Sequence, residues 1–125
     1  MKPAPATIRR RRAFRRGHAA ETLVAWYLRA KGYRVLERRY ACALGEIDLI
    51  VRRGRTVAFV EVKARRDHGL AIEAVSPRQR RRIVQAARAW LATARLPDGC
   101  DLRFDVIVLN ASGLPRHLQN AFGEE

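Results

Sequence analysis

Gly45-Glu46-Ile47-Asp48-Leu49-Ile50-Val51, followed after residues 52–56 by Val57-Ala58-Phe59-Val60-Glu61-Val62-Lys63, is the stretch on which the fold turns. Both arms are rich in Ile, Val and Phe at alternating positions. Gly54-Arg55 between them suits a two-residue turn with glycine at its first central position. The pattern predicts an antiparallel hairpin in which Asp48 faces Glu61, Glu46 faces Lys63, and all four project from one face. Facing residues sit about 4.5–5.5 Å apart at Cβ, where like charges are destabilising, so Asp48 and Glu61 call for a cation between them. The residues alone leave two candidates open: the ammonium of Lys63 reaching diagonally, and a divalent metal held by oxygen ligands.

Glu61 and Lys63 share their face with Val57 and Phe59, so the charged end borders an apolar core. Lysine usage is also informative. Of 26 basic residues only Lys2, Lys31 and Lys63 are lysine. An ammonium is a compact point charge whose pKa shifts on burial, whereas a guanidinium is bulky and keeps its proton. A lysine two residues after a glutamate on one strand face therefore suits chemistry.

Upstream, Ala20, Leu23, Val24, Tyr27 and Leu28 recur with helical spacing over residues 14–31, and Gly32 supplies the stop. Glu21 falls at the margin of that stripe. Residues 33–40 read as a first strand, polar enough for a sheet edge. Downstream, residues 64–75 read as a loop beside the acidic face, carrying Arg65, Arg66 and His68. Ser76-Pro77 opens a second helix that runs to about residue 95, with Ser as N-cap and Pro at the first helical position. Ile83, Val84, Ala87, Trp90 and Leu91 form its apolar stripe. Arg78, Arg81 and Arg82 lie on its cationic side, with Gln79 and Arg80 at the N-terminal end of the docking side, where a helix end favours anions. Asp101–Leu109 reads as a last strand, in which Asp105 is expected to pair with an arginine. Trp26, Trp90 and Phe104 are assigned to the core, so no aromatic stacking platform is expected.

The expected fold class is α/β, a mixed central sheet flanked by helices. Three parts are expected: a basic flexible arm at 1–16, a domain at 17–110 and a C-terminal tail at 111–125. A net charge of +14 and a pI near 11.5 call for a polyanionic partner, nucleic acid foremost. Cys42 and Cys100 belong to no metal or disulfide framework, and no apolar run is long enough for a membrane helix. A cytoplasmic protein with no membrane partner is expected.

Glu21 on a helix, GEID at 45–48 on one strand and EVK at 61–63 on the next resemble the PD-(D/E)XK nuclease superfamily, which includes type II restriction enzymes and archaeal Holliday junction resolvases. GEIDLI followed by FVEVKAR is more closely similar to the bacterial YraN family, over roughly residues 17–109. The resemblance implies a restriction endonuclease-like fold and a Mg²⁺-dependent DNA endonuclease, with Mn²⁺ as a substitute ion and branched or damaged DNA as substrate. It implies Asp48, Glu61, the Val62 carbonyl and Glu21 as metal ligands, with Glu21, Asp48, Glu61 and Lys63 as the catalytic set. Arg65, Arg66, Arg78, Gln79, Arg80, Arg81 and Arg82 are the expected nucleic-acid contacts. Relatives often carry a further lysine at the start of the second helix, where this chain has Arg78-Gln79-Arg80. A homodimer would suit symmetric cutting of two strands. The rival reading is a non-catalytic nucleic-acid-binding protein on the same fold.

Overall fold

In a computed structural model the chain forms α1 (Ala6–Ala30), β1 (Arg34–Cys42), β2 (Gly45–Arg53), β3 (Thr56–Ala64), α2 (Pro77–Thr93), β4 (Asp101–Leu109) and β5 (Pro115–Phe122). The structure describes the backbone of residues 6–66 and 74–123 and the side chains of residues 18–66 and 74–123. His68 lies outside the described residues.

The hairpin has the expected register, with Leu49 facing Val60, Val51 facing Ala58 and Arg53 facing Thr56. Gly54 turns it at φ +61°, a left-handed value that a side chain resists. Around this hairpin the five strands lie in the order β1-β2-β3-β4-β5. Every neighbouring pair is antiparallel except β3 and β4, which run parallel with α2 in the crossover between them. The sheet is therefore mixed, and β1 is an edge strand as its polarity predicts.

One helix covers each face of the sheet. Val24, Ala25 and Leu28 of α1 pack on Leu49, Val51, Ala58, Val60 and Ile107. Ile83, Val84 and Ala87 of α2 pack on Ile50, Val57, Phe59, Phe104 and Val106. β3 is buried on both faces, which explains its unbroken apolar run. This three-layer α/β arrangement is consistent with the restriction endonuclease-like layered fold. Phe59 stacks on Phe104 at 5.3 Å and meets Trp90 edge-on at 5.9 Å, so Trp90 and Phe104 are core residues as expected.

Helix ends follow from local chemistry. At the end of α1 the Gly32 N–H donates to the Arg29 carbonyl and the Tyr33 N–H to the Leu28 carbonyl, with Gly32 at φ +91°. This satisfies carbonyls that the last turn leaves without partners. At the start of α2, Ser76 Oγ accepts from the Gln79 N–H while Gln79 Oε1 accepts from the Ser76 N–H, a reciprocal capping box.

Three features go beyond the expected elements. α1 begins at Ala6, so the backbone of the arginine run is helical, in keeping with arginine's good helix propensity. Residues 115–122, within the expected tail, form a fifth strand that covers the outer edge of β4. Its polar composition hides it, and a bulge with Asn120 at φ +52° breaks its periodicity. Trp26 is not core: it is 65% exposed, because it lies on the opposite side of α1 from Val24 and Leu28.

Gly45 carries a packing requirement. A Cβ there would lie 2.8 Å from the Arg82 carbonyl carbon and closer still to its oxygen, both of them backbone atoms of α2. Gly45→Ala is expected to push α2 off β2 and to destabilise by about 1–3 kcal/mol, in the range of an overpacked core. Chemical denaturation measures this; an unchanged midpoint would refute the close approach.

Candidate active site at a fork in the sheet

The β2–β3 ladder stops at Leu49 and Val60. Below that point β2 stays with β1, where Ile47 pairs with Tyr40 and Glu46 with Ala41. β3 stays with β4, where Glu61 pairs with Val106 and Val62 with Ile107. The two central strands thus separate beyond Asp48 and Glu61, and the sheet forks.

Separation leaves strand backbone without its ladder partner, and a buried backbone donor left unpaired is costly. Asp48 resolves this by reaching across: its Oδ2 accepts from the Val62 N–H at 2.8 Å. In an extended strand the N–H and C=O of one residue face the same neighbour, so the Val62 carbonyl also faces the fork.

Glu61 lies within hydrogen-bonding reach of the Asp48 carboxyl. Its Oε1 pairs with Lys63 Nζ at 3.2 Å, and both side chains are largely buried. Burial first, then the Glu61 charge, pushes the Asp48 carboxyl up to about 8. Burial also pushes Glu61 up, with Lys63 opposing the shift. Two desolvated carboxyls this close cannot both ionise readily unless a cation joins them.

Glu21 is buried, and Arg39 Nε donates to both of its oxygens at 3.1 and 3.0 Å. Its charge still reaches Asp48 and contributes to the raised pKa there. Arg39 is held at φ +55°, a conformation uncommon outside glycine, in β1 between Arg38, which faces Leu49, and Tyr40, which faces Ile47. Arg39 was missed in the sequence because nothing in Glu37-Arg38-Arg39-Tyr40 separates it from its arginine neighbour.

Of the other predicted residues, Gln79 and Arg82 line a small cavity of about 80 Å³ together with Glu46, Glu61 and Ile83. Arg80 and Arg81 instead line a separate groove of about 260 Å³ with Pro77, Val84, Gln85, Arg88 and Gly123. Arg80 there donates from Nε to the Val75 carbonyl and lies over the Phe122 ring at 5.8 Å. Arg78 is exposed on α2, and Arg65 and Arg66 are exposed at the end of β3. Glu46 is exposed and does not face Lys63, because the fork ends the ladder before that pair can form.

Among the described residues no three acidic, histidine or cysteine side chains converge as a ready metal cage, since Glu21 is turned to Arg39. The donor set at the fork nevertheless fits a hard divalent cation. It offers two carboxylates made unfavourable by desolvation and a backbone carbonyl facing the same gap, and Mg²⁺ completes its shell with waters.

The raised pKa values have a consequence for stability. Between about pH 4 and pH 8 the native Asp48 keeps a proton that the unfolded chain has lost, so this group makes stability fall as pH rises through that window. In EDTA, Asp48→Asn is expected to flatten that fall and to raise the melting temperature at pH 8 by about 5 °C or more. Thermal melts at several pH values measure it, and a wild-type slope in the variant would refute the buried acid pair.

Comparison with known proteins identifies the family. Residues 20–109 match the Uncharacterised protein family UPF0102. A UPF0102 protein of Methylorubrum extorquens (strain PA1) is 53% identical over 120 residues, covering 96% of this chain and 94% of that protein. One from Rhodopseudomonas palustris (strain BisA53) is 50% identical over 120 residues, covering 96% of this chain and 90% of that protein. With these matches spanning both strands of the fork and both helices, the chain belongs to the UPF0102 (YraN) family, whose general placement is the PD-(D/E)XK superfamily.

Proposed function

We propose that this protein is a metal-dependent endonuclease that hydrolyses phosphodiester bonds, with DNA as the favoured substrate and Mg²⁺ as the favoured ion. The observation that carries the reading is the fork itself: the ladder ends after Leu49 and Val60, and the two partly buried carboxyls of Asp48 and Glu61 meet there beside Lys63. A structural salt bridge needs no second desolvated acid, whereas a cation site does.

In this reading Asp48, Glu61 and the Val62 carbonyl would hold the ion. When bound, Mg²⁺ lowers the pKa of a water and neutralises charge on the phosphate. The chain's own groups do the rest. Asp48 would hold the ion as a carboxylate, its proton released to water. Lys63, which pairs with Glu61, would present its ammonium to the phosphate oxygens and stabilise the charge that develops there. Glu21, fixed in place by Arg39, adds a negative field at Asp48 that favours the cation and orients water. Gln79 and Arg82, which line the small cavity together with Glu61, would contact a flanking phosphate. The remaining arginines supply attraction along the backbone, which falls with salt.

The test is cleavage of labelled linear duplex, single strand, flap and four-way junction with Mg²⁺, Mn²⁺ or EDTA, with Lys63→Ala as control. Metal-dependent cutting lost in that variant supports the nuclease. Binding without cutting on every substrate would favour the non-catalytic binder.

A further inference from the structure

We infer that the outer face of α1 carries a second nucleic-acid contact, in which Trp26 stacks on an unpaired base. This inference rests on the nucleic-acid reading above. Trp26 is 65% exposed and Leu23, one turn earlier, 53%, although neither helps to close the core. A large exposed aromatic beside an exposed leucine is the kind of surface that soluble proteins reserve for a partner.

The surroundings identify the partner's chemistry. The Arg29 guanidinium sits 5.3 Å from the centre of the Trp26 ring. Arg38 donates from Nη2 to Thr22 Oγ1 at 3.1 Å, which brings a second guanidinium onto the same helix. Glu21 is the only acid between residues 18 and 33, and it is turned inward to Arg39. The backbone of residues 9–16, which include six arginines, continues the same helix. An aromatic face flanked by fixed cations suits a base and its neighbouring phosphates: the ring stacks and the guanidiniums meet the backbone. A second copy of this chain suits it poorly, because two chains of charge +14 would bring their cationic helices together.

Trp26 lies five residues beyond Glu21, about 7.5 Å along the helix axis, and on the side of α1 away from the sheet. The contact is therefore distinct from the fork. A nucleic acid that engages both presents an unpaired arm to α1 while its phosphates occupy the fork.

The test is titration of the full chain in EDTA with short oligothymidylate and with blunt duplex, following tryptophan fluorescence, for wild type and Trp26→Ala. Trp90, the other tryptophan, packs against Phe59 in the core and serves as the internal reference. The expected result is quenching by the single strand that is lost in Trp26→Ala, with about tenfold weaker single-strand binding and duplex binding within about twofold of wild type. Unchanged single-strand affinity in the variant would overturn the inference, as would an equal loss on both nucleic acids. Two further outcomes would also overturn it. One is a spectral shift with anionic phospholipid vesicles but none with oligonucleotide, which indicates a membrane-surface helix. The other is self-association of wild type that Trp26→Ala abolishes. If single-strand affinity is unchanged while Asp48-dependent cleavage persists, only this inference fails; if wild type neither binds nor cuts nucleic acid, the proposed function fails with it.

Discussion

Asp48→Asn and Lys63→Ala are each expected to reduce metal-dependent cleavage by about 10²- to 10³-fold or more, while duplex binding in EDTA stays within about threefold of wild type. The two changes act by different routes. Asn keeps the size of Asp48 and can still accept from the Val62 N–H, so the fork stays closed on that side, but it removes one of the two charges that hold a cation. Lys63→Ala leaves the carboxyl pair in place and removes the ammonium 3.2 Å from Glu61 Oε1. The variants therefore part company on metal. Added Mg²⁺ should raise the melting temperature of wild type and of Lys63→Ala, because a ligand bound only to the native state stabilises it by mass action. It should leave Asp48→Asn unmoved. Cleavage that survives Asp48→Asn would remove the carboxyl pair from the mechanism, and a loss of folding in both variants would return the fork to a purely structural role.

Asp105→Ala is expected to lower stability by about 3–5 kcal/mol, the usual consequence of removing one partner from a buried charged pair. Asp105 is fully buried. Arg103 donates to it from Nε and Nη2 at 2.9 and 2.8 Å, and the Asn120 N–H donates to Oδ1 at 2.9 Å. His117 Nε2 lies 2.8 Å from Oδ2, and Lys31 Nζ lies 2.8 Å from the other ring nitrogen. An ammonium only donates, so Nδ1 accepts and the imidazole proton sits on Nε2, facing Asp105. Burial would push the Asp105 carboxyl up, but the bonds from His117, Arg103 and the Asn120 N–H outweigh it and hold the group below its usual range. The network ties β5 to β4 and, through Lys31 and the Tyr33 hydroxyl, to the end of α1. Its loss should loosen that side of the sheet while sparing the fork. Thermal melting and residual cleavage at low temperature measure the two effects separately. A shift of the melting temperature by less than about 3 °C would show that the network contributes little.

The hairpin, and with it the closeness of Asp48 and Glu61, is legible in the sequence. Strand alternation and the chemistry of a two-residue turn are local, and once the turn is fixed the register follows without reference to the rest of the chain. The capping of α2 by Ser76 and the stop of α1 at Gly32 are legible for the same reason. The pairing of Asp105 with an arginine was also foreseeable, since a charge amid Phe104, Val106 and Ile107 has to find a partner.

What the sequence did not disclose depends on neighbours distant in the chain. β5 has little apolar periodicity, and its place is set by the open edge of β4 and by the demand of Asp105 for the Asn120 N–H and His117. The end of the β2–β3 ladder is set by competition, since β1 and β4 hold the lower halves of the two strands and draw them apart. The fixing of Glu21 by Arg39 depends on a left-handed residue in an edge strand, and the exposure of Trp26 depends on which side of α1 meets the sheet. Local chemistry by itself determined the hairpin, the helix caps and the facing acids. Only tertiary packing decided that the acids sit desolvated at a fork, because burial and the choice of strand partner are properties of the assembled sheet.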